Sequence, residues 1–148
     1  MDGFAVELTI PVRFRDIDGM GHVNNAVFST YLELGREAYW RRLLGLGPDE
    51  SFALSDYMDG TGFILARMEI DFRAQIPHGG AVRVGIRCCR LGAKSWDFEY
   101  RLEAAGGEPV YAQARSVQVA YDYRAQASVA LPASLRARFA EIEGRPFE

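Results

Sequence analysis

The residue types best suited to catalysis stand together near the N-terminus, in the run Asp16-Ile17-Asp18-Gly19-Met20-Gly21-His22-Val23-Asn24-Asn25. This run places two carboxylates, an imidazole and two carboxamides in a glycine-rich segment that leads into a helical pattern. Backbone N–H groups at the start of a helix lack partners and carry a partial positive charge. They can stabilise a carbonyl oxygen as it becomes an oxyanion, while a nearby carboxylate attacks that carbonyl or activates water. Hydrolysis of an activated acyl group requires this combination.

Each of these polar residues also has a structural interpretation, and the sequence leaves both open. Asp16 is spaced for turn hydrogen bonds or for an ion pair with Arg13 or Arg15, and Asp18 has the position of an ordinary turn aspartate. A single histidine such as His22 is more often a hydrogen-bonded structural residue than a catalyst. The two asparagines are preferred caps for a helix N-terminus. Spacing alone therefore predicts a polar site at a helix start and names no substrate.

A long helix is predicted directly after this run, over Asn25 to Leu44. Apolar residues recur there at helical spacing until a glycine-rich segment at 45–48 ends the pattern. Such a helix is about 30 Å long. Gly35 lies in its middle on the apolar face, where glycine lowers helix stability, so we expect another backbone to approach it closely. Glu33 and Arg36 are spaced for a local ion pair.

Alternating apolar and polar residues predict strands on both sides of this helix. The predicted strands are Phe4–Phe14, Phe63–Phe72, Ala81–Leu91, Ser95–Glu103 and Pro109–Tyr121. Pro11 indicates an edge position or a bulge in the first of them. The last four are joined by short links rich in turn residues, which predicts an antiparallel sheet.

Two further segments complete the predicted fold. Residues 49–62, with Phe52, Leu54, Tyr57 and Met58 among polar residues, predict a short helix or flap over apolar space, and Pro132 to Ile142 predict a small terminal helix. The order of elements predicts an α+β fold in one domain over residues 1–148. In it, an antiparallel five-stranded sheet is wrapped around one long central helix. Strands this long leave edges that favour dimers.

Composition and charge exclude several classes of protein. The net charge of the 148 residues is −3, so no overall basic field attracts nucleic acid. Sixteen of the seventeen basic residues are arginine. The adjacent Cys88 and Cys89 are unsuited to a structural disulfide, and reduced thiols fit a cytoplasmic protein. The alternating, charged residues at 1–13 are not the pattern of a signal peptide, and we expect no membrane span. The sequence shows no nucleophile elbow or phosphate-binding loop, and His22 and His78 are too few histidines for a zinc site.

The polar run and its flanks resemble the hotdog-fold thioesterases. The resemblance rests on residues 12–28, which include Asp-Ile-Asp and Gly-His-Val-Asn-Asn, followed by Tyr31-Leu32-Glu33 and Arg36. Within these enzymes the sequence is most similar to the 4-hydroxybenzoyl-CoA thioesterase family, in its branch of small bacterial acyl-CoA thioesterases. The strand at 68–72, the turns at 77–79 and 91–95 and the strand at 117–121 also match the family's order, so the resemblance covers roughly residues 6 to 140.

The resemblance implies an activity and a role for each matching residue. Asp18 falls on the catalytic carboxylate, as nucleophile or general base toward the thioester carbonyl. The backbone amides near Asn24 and Asn25 fall on the helix start that polarises this carbonyl, and His22 and Asn25 fall on supporting polar positions. The implied reaction is hydrolysis of an acyl-CoA thioester, and the relatives that share the His-Val-Asn-Asn block favour fatty acyl-CoA as the substrate. It needs no metal and no cofactor, since coenzyme A is part of the substrate.

Four basic residues are candidates for binding the phosphates of coenzyme A, namely Arg87, Arg90, Lys94 and Arg124. The chain is short for a domain that must also enclose a deep pocket. We therefore expect a homodimer or homotetramer with the active site at the subunit interface, where the helix start and Asp18 of one chain meet the partner's strands. No nucleic acid or membrane is expected as a partner.

Departures from the family pattern keep other functions open. The enzymes that gave the family its name carry aromatic residues and a proline where this chain has Asn24-Asn25-Ala26. The related acyl-carrier-protein thioesterases are longer and have an asparagine at the position of Met20. The alternatives are an acyl-carrier-protein thioesterase, a hotdog hydratase or a non-catalytic acyl-CoA-binding protein. Hydratases carry a histidine on the central helix, and this sequence has none between Val23 and Gly45.

Overall fold

The structure is a computed structural model, and it describes residues 1–56, 58 and 60–147. Within these residues the chain forms six strands and two helices, in the order β1 Val6–Pro11, α1 Asn25–Leu44, β2 Gly62–Phe72, β3 Ala81–Leu91, β4 Ser95–Ala104, β5 Val110–Asp122, β6 Ala127–Ser128 and α2 Ala133–Glu143. Every strand pair is antiparallel, and the sheet order is β1-β3-β4-β5-β2, with β6 paired to the end of β5. The prediction of an α+β fold with an antiparallel sheet is confirmed.

The expected number of five strands is wrong, because the chain turns back after β5 and forms the short strand β6. The Asp122 carboxylate closes this turn by accepting hydrogen bonds from the backbone N–H groups of Arg124, at 2.8 Å, and Ala125, at 3.1 Å. A strand of two residues is too short to leave an alternating pattern. The first predicted strand is also shorter than expected, since it ends at Pro11 and residues Phe14–Asp16 form a 3₁₀ turn.

The helix α1 begins and ends at the predicted residues. Asn24 caps its N-terminus, and Gly45 ends it in the left-handed conformation with a φ of 68°. The helix packs chiefly on β1 and β3. A Cβ atom on Gly35 would lie 3.2 Å from Val84 Cγ1 and 3.8 Å from the ring of Tyr100. The expected close approach of another backbone is therefore wrong, because the neighbours of Gly35 are side chains of β3 and β4.

An aromatic cluster fills the core at the C-terminal end of α1. The ring of Trp40 lies 5.7 Å from that of Trp96 on β4, 5.8 Å from that of Phe139 on α2 and 5.8 Å from that of Phe63 on β2. The helix α2, predicted over nearly the same residues, packs on α1 and β3. Both helices are thus fixed at this end of the sheet, while the N-terminus of α1 lies at the other end.

The segment between α1 and β2 covers part of the core, as predicted. It contains a 3₁₀ turn at Leu54–Asp56, and the side chain of Met58 is buried. Phe52 and Leu54 are partly buried against the same core, and Tyr57 lies outside the described residues.

Cys88 is buried and Cys89 is half-buried, and both are free thiols. Neither of the helices found in the described residues is long and apolar enough to cross a membrane.

Candidate active site

The segment between β1 and α1 is held in a tight loop by backbone hydrogen bonds. The N–H of Asp18 donates to the carbonyl of His22, and the N–H of Gly21 donates back to the carbonyl of Asp18, both at 3.1 Å. Gly21 has a φ of 86°, which favours glycine at this turn. The N–H of Val23 donates to the carbonyl of Ile76 at 2.9 Å and ties the loop to the segment before β3. The polar side chains of the loop are therefore presented from a fixed backbone.

Asp16 is a structural residue at the base of this loop. Its carboxylate is 1% exposed and accepts hydrogen bonds from the backbone and guanidinium of Arg13 and from the hydroxyl of Tyr31, at 2.9 Å for the latter. Burial alone would raise the pKa of Asp16, but the hydrogen bonds from Arg13 and Tyr31 outweigh it, so the pKa is lowered. Of the two pairings that the sequence allowed, the one with Arg13 is formed.

Asp18, by contrast, lies at the solvent-facing turn of the loop. Its Oδ1 accepts a hydrogen bond from the N–H of Met20 at 2.9 Å, which is the contact of a turn aspartate. The carboxylate is half-buried, and no hydrogen bond from another described residue reaches its Oδ2. One oxygen thus fixes the side chain and the other remains open to a ligand.

Asn24 caps the helix, and its side-chain oxygen, its carbonyl and its N–H all have hydrogen-bond partners within the chain. Its side-chain Oδ1 accepts from the N–H of Ala26 at 2.9 Å, and its carbonyl accepts from the N–H of Val27 at 2.9 Å. Its own N–H donates to the carbonyl of Asp16 at 2.9 Å. In the described part of the chain, the N–H of Asn25 is the first donor of α1 without a protein acceptor. The structure therefore separates the two asparagines, which the sequence left equivalent.

His22 and Asn25 meet in a cleft beside the start of α1. This helix-start cleft has a volume of about 210 Å³ and is lined by His22, Val23, Asn25, Phe28, Phe72, Arg73, Ala74 and Gln75. The rings of Phe28 and Phe72 pack edge to face across it, with centroids 5.0 Å apart. The cleft thus combines an aromatic wall with a polar rim.

The side chain of His22 is oriented by the backbone of the next residue, Val23. The ring Nδ1 lies 3.3 Å from the carbonyl oxygen of Val23. A carbonyl only accepts, so a hydrogen bond at this position requires the proton on Nδ1. Nε2 is then the nitrogen left as an acceptor for a ligand.

The sequence reasoning missed Phe72 and Arg73 as residues of this cleft. Phe72 is the last residue of β2 and, at 49% exposed, is unusually accessible for a large apolar side chain. The alternation of β2 places it on the inner face, but only the antiparallel pairing of the sheet brings the end of β2 to the start of α1. The sequence does show an apolar residue, Phe72, at the end of a predicted strand and an arginine directly after it. This pattern is common at strand ends, so it did not mark a site.

Of the four basic residues proposed for coenzyme A, three lie toward the far end of the sheet from this cleft, namely Arg90, Lys94 and Arg124, and Arg87 lies in the middle of β3. Arg87 pairs with Glu99 at 2.6 Å and Arg90 pairs with Asp97 at 2.5 Å. Lys94 and Arg124 are exposed on the β3–β4 and β5–β6 turns. The cleft lies at the end of the sheet where β3 begins. The β3–β4 turn lies at the other end of this strand, so it is about 30 Å from the cleft.

Arg36 differs from its sequence prediction as well. No ion pair between Glu33 and Arg36 occurs among the described residues, and Glu33 is exposed. Arg36 is 9% exposed and donates from Nη1 to the hydroxyl of Tyr100 at 3.3 Å. The spacing of three residues allowed an ion pair on the surface, but the side chain of Arg36 is instead buried between α1 and the sheet.

The sequence and the fold match known thioesterases. Residues 12–139 match the thioesterase-like superfamily. A thioesterase from Thermus thermophilus, solved in complex with coenzyme A and Zn, is 39% identical and has a TM-score of 0.81, with 99% of this chain and 100% of that chain covered. A predicted thioesterase from Bacillus stearothermophilus is 26% identical with a TM-score of 0.77, over 95% of this chain and 97% of that chain.

A weaker match exists to the uncharacterized protein YsmA of Bacillus subtilis. It is 25% identical over 102 residues, which are 69% of this chain and 63% of that protein, so the match spans less than two thirds of the relative's length. Together these matches confirm the resemblance found in the sequence. The chain belongs to the thioesterase-like superfamily and is in the class of thioester hydrolases.

A metal site is not supplied by the residues that the structure describes. Across residues 1–56, 58 and 60–147, no group of three or more His, Cys, Asp or Glu side chains is arranged to hold an ion.

Replacing Asp16 with Asn should lower the free energy of unfolding by about 1–3 kcal/mol near neutral pH, because it removes a buried charge that accepts hydrogen bonds from Arg13 and Tyr31. The folded state lowers the pKa of Asp16. Its contribution is therefore complete above the ordinary aspartate pKa of about 4 and is lost as pH falls through the lower folded value. Urea unfolding of both proteins from about pH 7 to about pH 2 measures this contribution.

The exposed Asp49 offers a matched control. Asp49→Asn should leave the free energy of unfolding unchanged at every pH. A difference between wild type and Asp16→Asn that stays constant down to the lowest pH would contradict the assigned role of Asp16.

Proposed function

We propose that this protein hydrolyses acyl-CoA thioesters to a carboxylic acid and free coenzyme A, with fatty acyl-CoA as the class that the sequence resemblance favours. The observation that carries the proposal is the unpaired N–H of Asn25 at the start of α1, in a cleft shared with His22 and next to the Asp18 loop. The coenzyme A held by the Thermus thermophilus relative supports the choice of thiol. Coenzyme A is here part of the substrate, and no other cofactor is proposed.

The start of α1 can stabilise the oxyanion because the N–H of Asn25 has no acceptor among the described residues. The N–H groups of Asn24, Ala26 and Val27 all donate to acceptors of the loop and cap. The N–H of Asn25 is left to a ligand and points out from the positive end of the helix dipole. A thioester carbonyl bound there gains negative charge in the transition state, and one such donor typically contributes about 2.7–4 kcal/mol to lowering the barrier.

Asp18 is the proposed catalytic carboxylate. Its Oδ1 is held by the N–H of Met20, so the open Oδ2 is presented in one orientation. Either Oδ2 attacks the carbonyl carbon and expels the thiolate to leave an anhydride that water cleaves, or it takes a proton from the water that attacks. Both routes consume one thioester and one water and give one acid and one thiol. His22, through Nε2, and the side chain of Asn25 support the bound thioester.

The site is proposed to be completed at the interface of a homodimer. The strand β2 forms one edge of the sheet, and its middle, at 65–67, is exposed. An exposed edge with the apolar Leu65 is suited to pairing with a second copy of itself. Such a pairing is two-fold and antiparallel, and it continues the sheet from one chain into the other. A homotetramer would be two such dimers.

This pairing also brings the distant basic residues toward a site. Because the partner's β2 runs in the opposite direction, the far end of the partner's sheet lies beside the start of α1. That end carries Lys94 and Arg124 on exposed turns. We propose that these two residues bind the phosphates of coenzyme A across the interface. Arg87 and Arg90 are weaker candidates, since each already pairs with a carboxylate.

Wild-type protein should release free thiol from a panel of acyl-CoA substrates, and Asp18→Asn should lower kcat by more than about a hundredfold. The variant keeps the shape and the contact with Met20 but loses the charge that attacks carbon or activates water. A thiol reagent reports turnover, and light scattering checks that the oligomer survives. Turnover close to that of wild type on several acyl-CoAs would remove Asp18 from the mechanism.

The same panel separates the alternative functions. Turnover of acyl groups on an acyl carrier protein, but not on coenzyme A, would identify the first alternative. Hydration of an enoyl-CoA without thiol release would identify a hydratase, and binding without turnover would identify an acyl-CoA-binding protein.

Leu65→Glu should dissociate the proposed dimer, because it places like charges on facing edge strands. We expect a monomer by light scattering and loss of most of the thioesterase activity, since each site needs its partner. Thr9→Glu is the matched control, because Thr9 is exposed on β1 at the opposite edge of the sheet. A dimer that survives the Leu65 substitution, or a monomer of full activity, would exclude β2 as the interface.

A further inference from the structure

The segment that follows β2 lines the helix-start cleft and is held at both ends. The N–H groups of Arg73 and Ala74 both donate to the carbonyl of Tyr111, at 2.9 and 3.2 Å, which fixes the segment where β2 ends. The carbonyl of the buried Ile76 accepts a hydrogen bond from the N–H of Val23 at 2.9 Å, which ties the segment to the loop before α1. Arg73 therefore extends from a backbone that is fixed on either side.

Arg73 differs from most arginines of this chain because its guanidinium has no partner among the described residues. The other arginines mostly pair with a carboxylate or donate to a carbonyl or hydroxyl oxygen. In the part of the chain that the structure describes, no hydrogen bond or ion pair is formed by the side chains of Arg15, Arg42, Arg73 and Arg124. Of these four residues, Arg73 is the one that lines the helix-start cleft. Its five N–H donors are all available to a ligand.

The residues that line the cleft give it a positive charge. Among the described residues of this lining, Arg73 carries the one full charge, and no Asp or Glu is present. The N–H of Asn25 adds the positive end of the α1 dipole. Positive groups beside one another repel, so this combination is unfavourable around a neutral ligand. It favours a ligand that develops negative charge between the two groups, as a thioester carbonyl does during hydrolysis.

Both positive groups can reach one atom of a bound ligand. The cleft has a volume of about 210 Å³, so it is about as wide as an extended arginine side chain is long. The rings of Phe28 and Phe72, with centroids 5.0 Å apart, form one wall of it. A ligand is thereby kept between the helix start and the segment at 73–75. The side chain of Arg73 is exposed, so it can turn toward the N–H of Asn25 without breaking a contact.

We propose that Arg73 is a further catalytic residue, whose guanidinium donates a hydrogen bond to the thioester oxygen together with the N–H of Asn25. This inference rests on the proposed function, because it assumes that the thioester binds at the start of α1. As the nucleophile bonds to the carbonyl carbon, the π electrons of the C=O bond move to this oxygen, and they return when the C–S bond breaks and the thiolate leaves. Arg73 stabilises the charge and transfers no proton, since arginine keeps its proton in proteins.

Arg73→Met should lower kcat on acyl-CoA by about a hundredfold, which is the typical effect of removing one oxyanion donor, and should change KM little. Arg73→Lys should recover part of this loss, because an ammonium group is also a charged donor. Arg42→Met is the matched control, since Arg42 is exposed in the last turn of α1, and it should leave kcat unchanged. A thiol reagent measures turnover, and Tm should be the same in all four proteins.

Two unreactive analogues separate this role from binding of the coenzyme. An alkyl-CoA thioether lacks the carbonyl oxygen, whereas the carbonyl of a trifluoromethyl ketone analogue adds a nucleophile and forms a tetrahedral oxyanion. Arg73→Met should weaken binding of the ketone by about tenfold or more and leave binding of the thioether unchanged. Equal weakening of both analogues would show that Arg73 binds coenzyme A, and unchanged binding of both would place Arg73 outside the site. Either result would overturn the inference.

Failure of this inference can be told apart from failure of the proposed function. Turnover by wild type that survives Arg73→Met at the full rate would overturn the role of Arg73 and leave thioester hydrolysis intact. No release of thiol by wild type from any acyl-CoA would contradict the proposed function itself.

Discussion

The buried carboxylate of Asp16 is the interaction on which the rest of the site depends. It accepts hydrogen bonds from Arg13 before the 3₁₀ turn and from Tyr31 in the second turn of α1. Its backbone carbonyl accepts from the N–H of Asn24. One residue thereby joins the strand exit, the loop and the helix start. The hydrogen bonds from Arg13 and Tyr31 lower the pKa of this carboxyl against the effect of burial, so they favour its charged form.

The hydrogen bonds at the helix start occupy most of its donors. The N–H groups of Asn24, Ala26 and Val27 donate to acceptors within the protein. The N–H of Asn25 has no acceptor among the described residues, and Asn25 lines the cleft together with His22. The difference between the neighbouring asparagines follows from geometry: the residue with extended backbone caps the helix, and the first helical residue does not. The proposed oxyanion position depends on this difference.

The helix lies on one half of the sheet. It packs on β1 and β3, so the half of the sheet near β2 is covered by long side chains such as Phe28, Arg36 and Trp40. The edge strand β2 borders this half and is exposed. In the proposed dimer, a second copy on that edge would close the cleft and supply the basic turns.

The sequence by itself determined the long helix, the antiparallel strands, the polar run and the family, because helical and strand periodicity and the motif are local. It left open the roles of Asp16, Asp18 and the two asparagines. Asp16 depends on Tyr31, fifteen residues away, and Asn25 lines a cleft with residues that follow β2, whereas Asp18 and Asn24 make local turn and cap contacts that the spacing allowed but did not select. The tertiary structure alone decided that Arg36 is buried and that Arg87 and Arg90 are paired with carboxylates of β4. Burial and ion pairing are set by contacts across the sheet, and residue spacing carries no record of them.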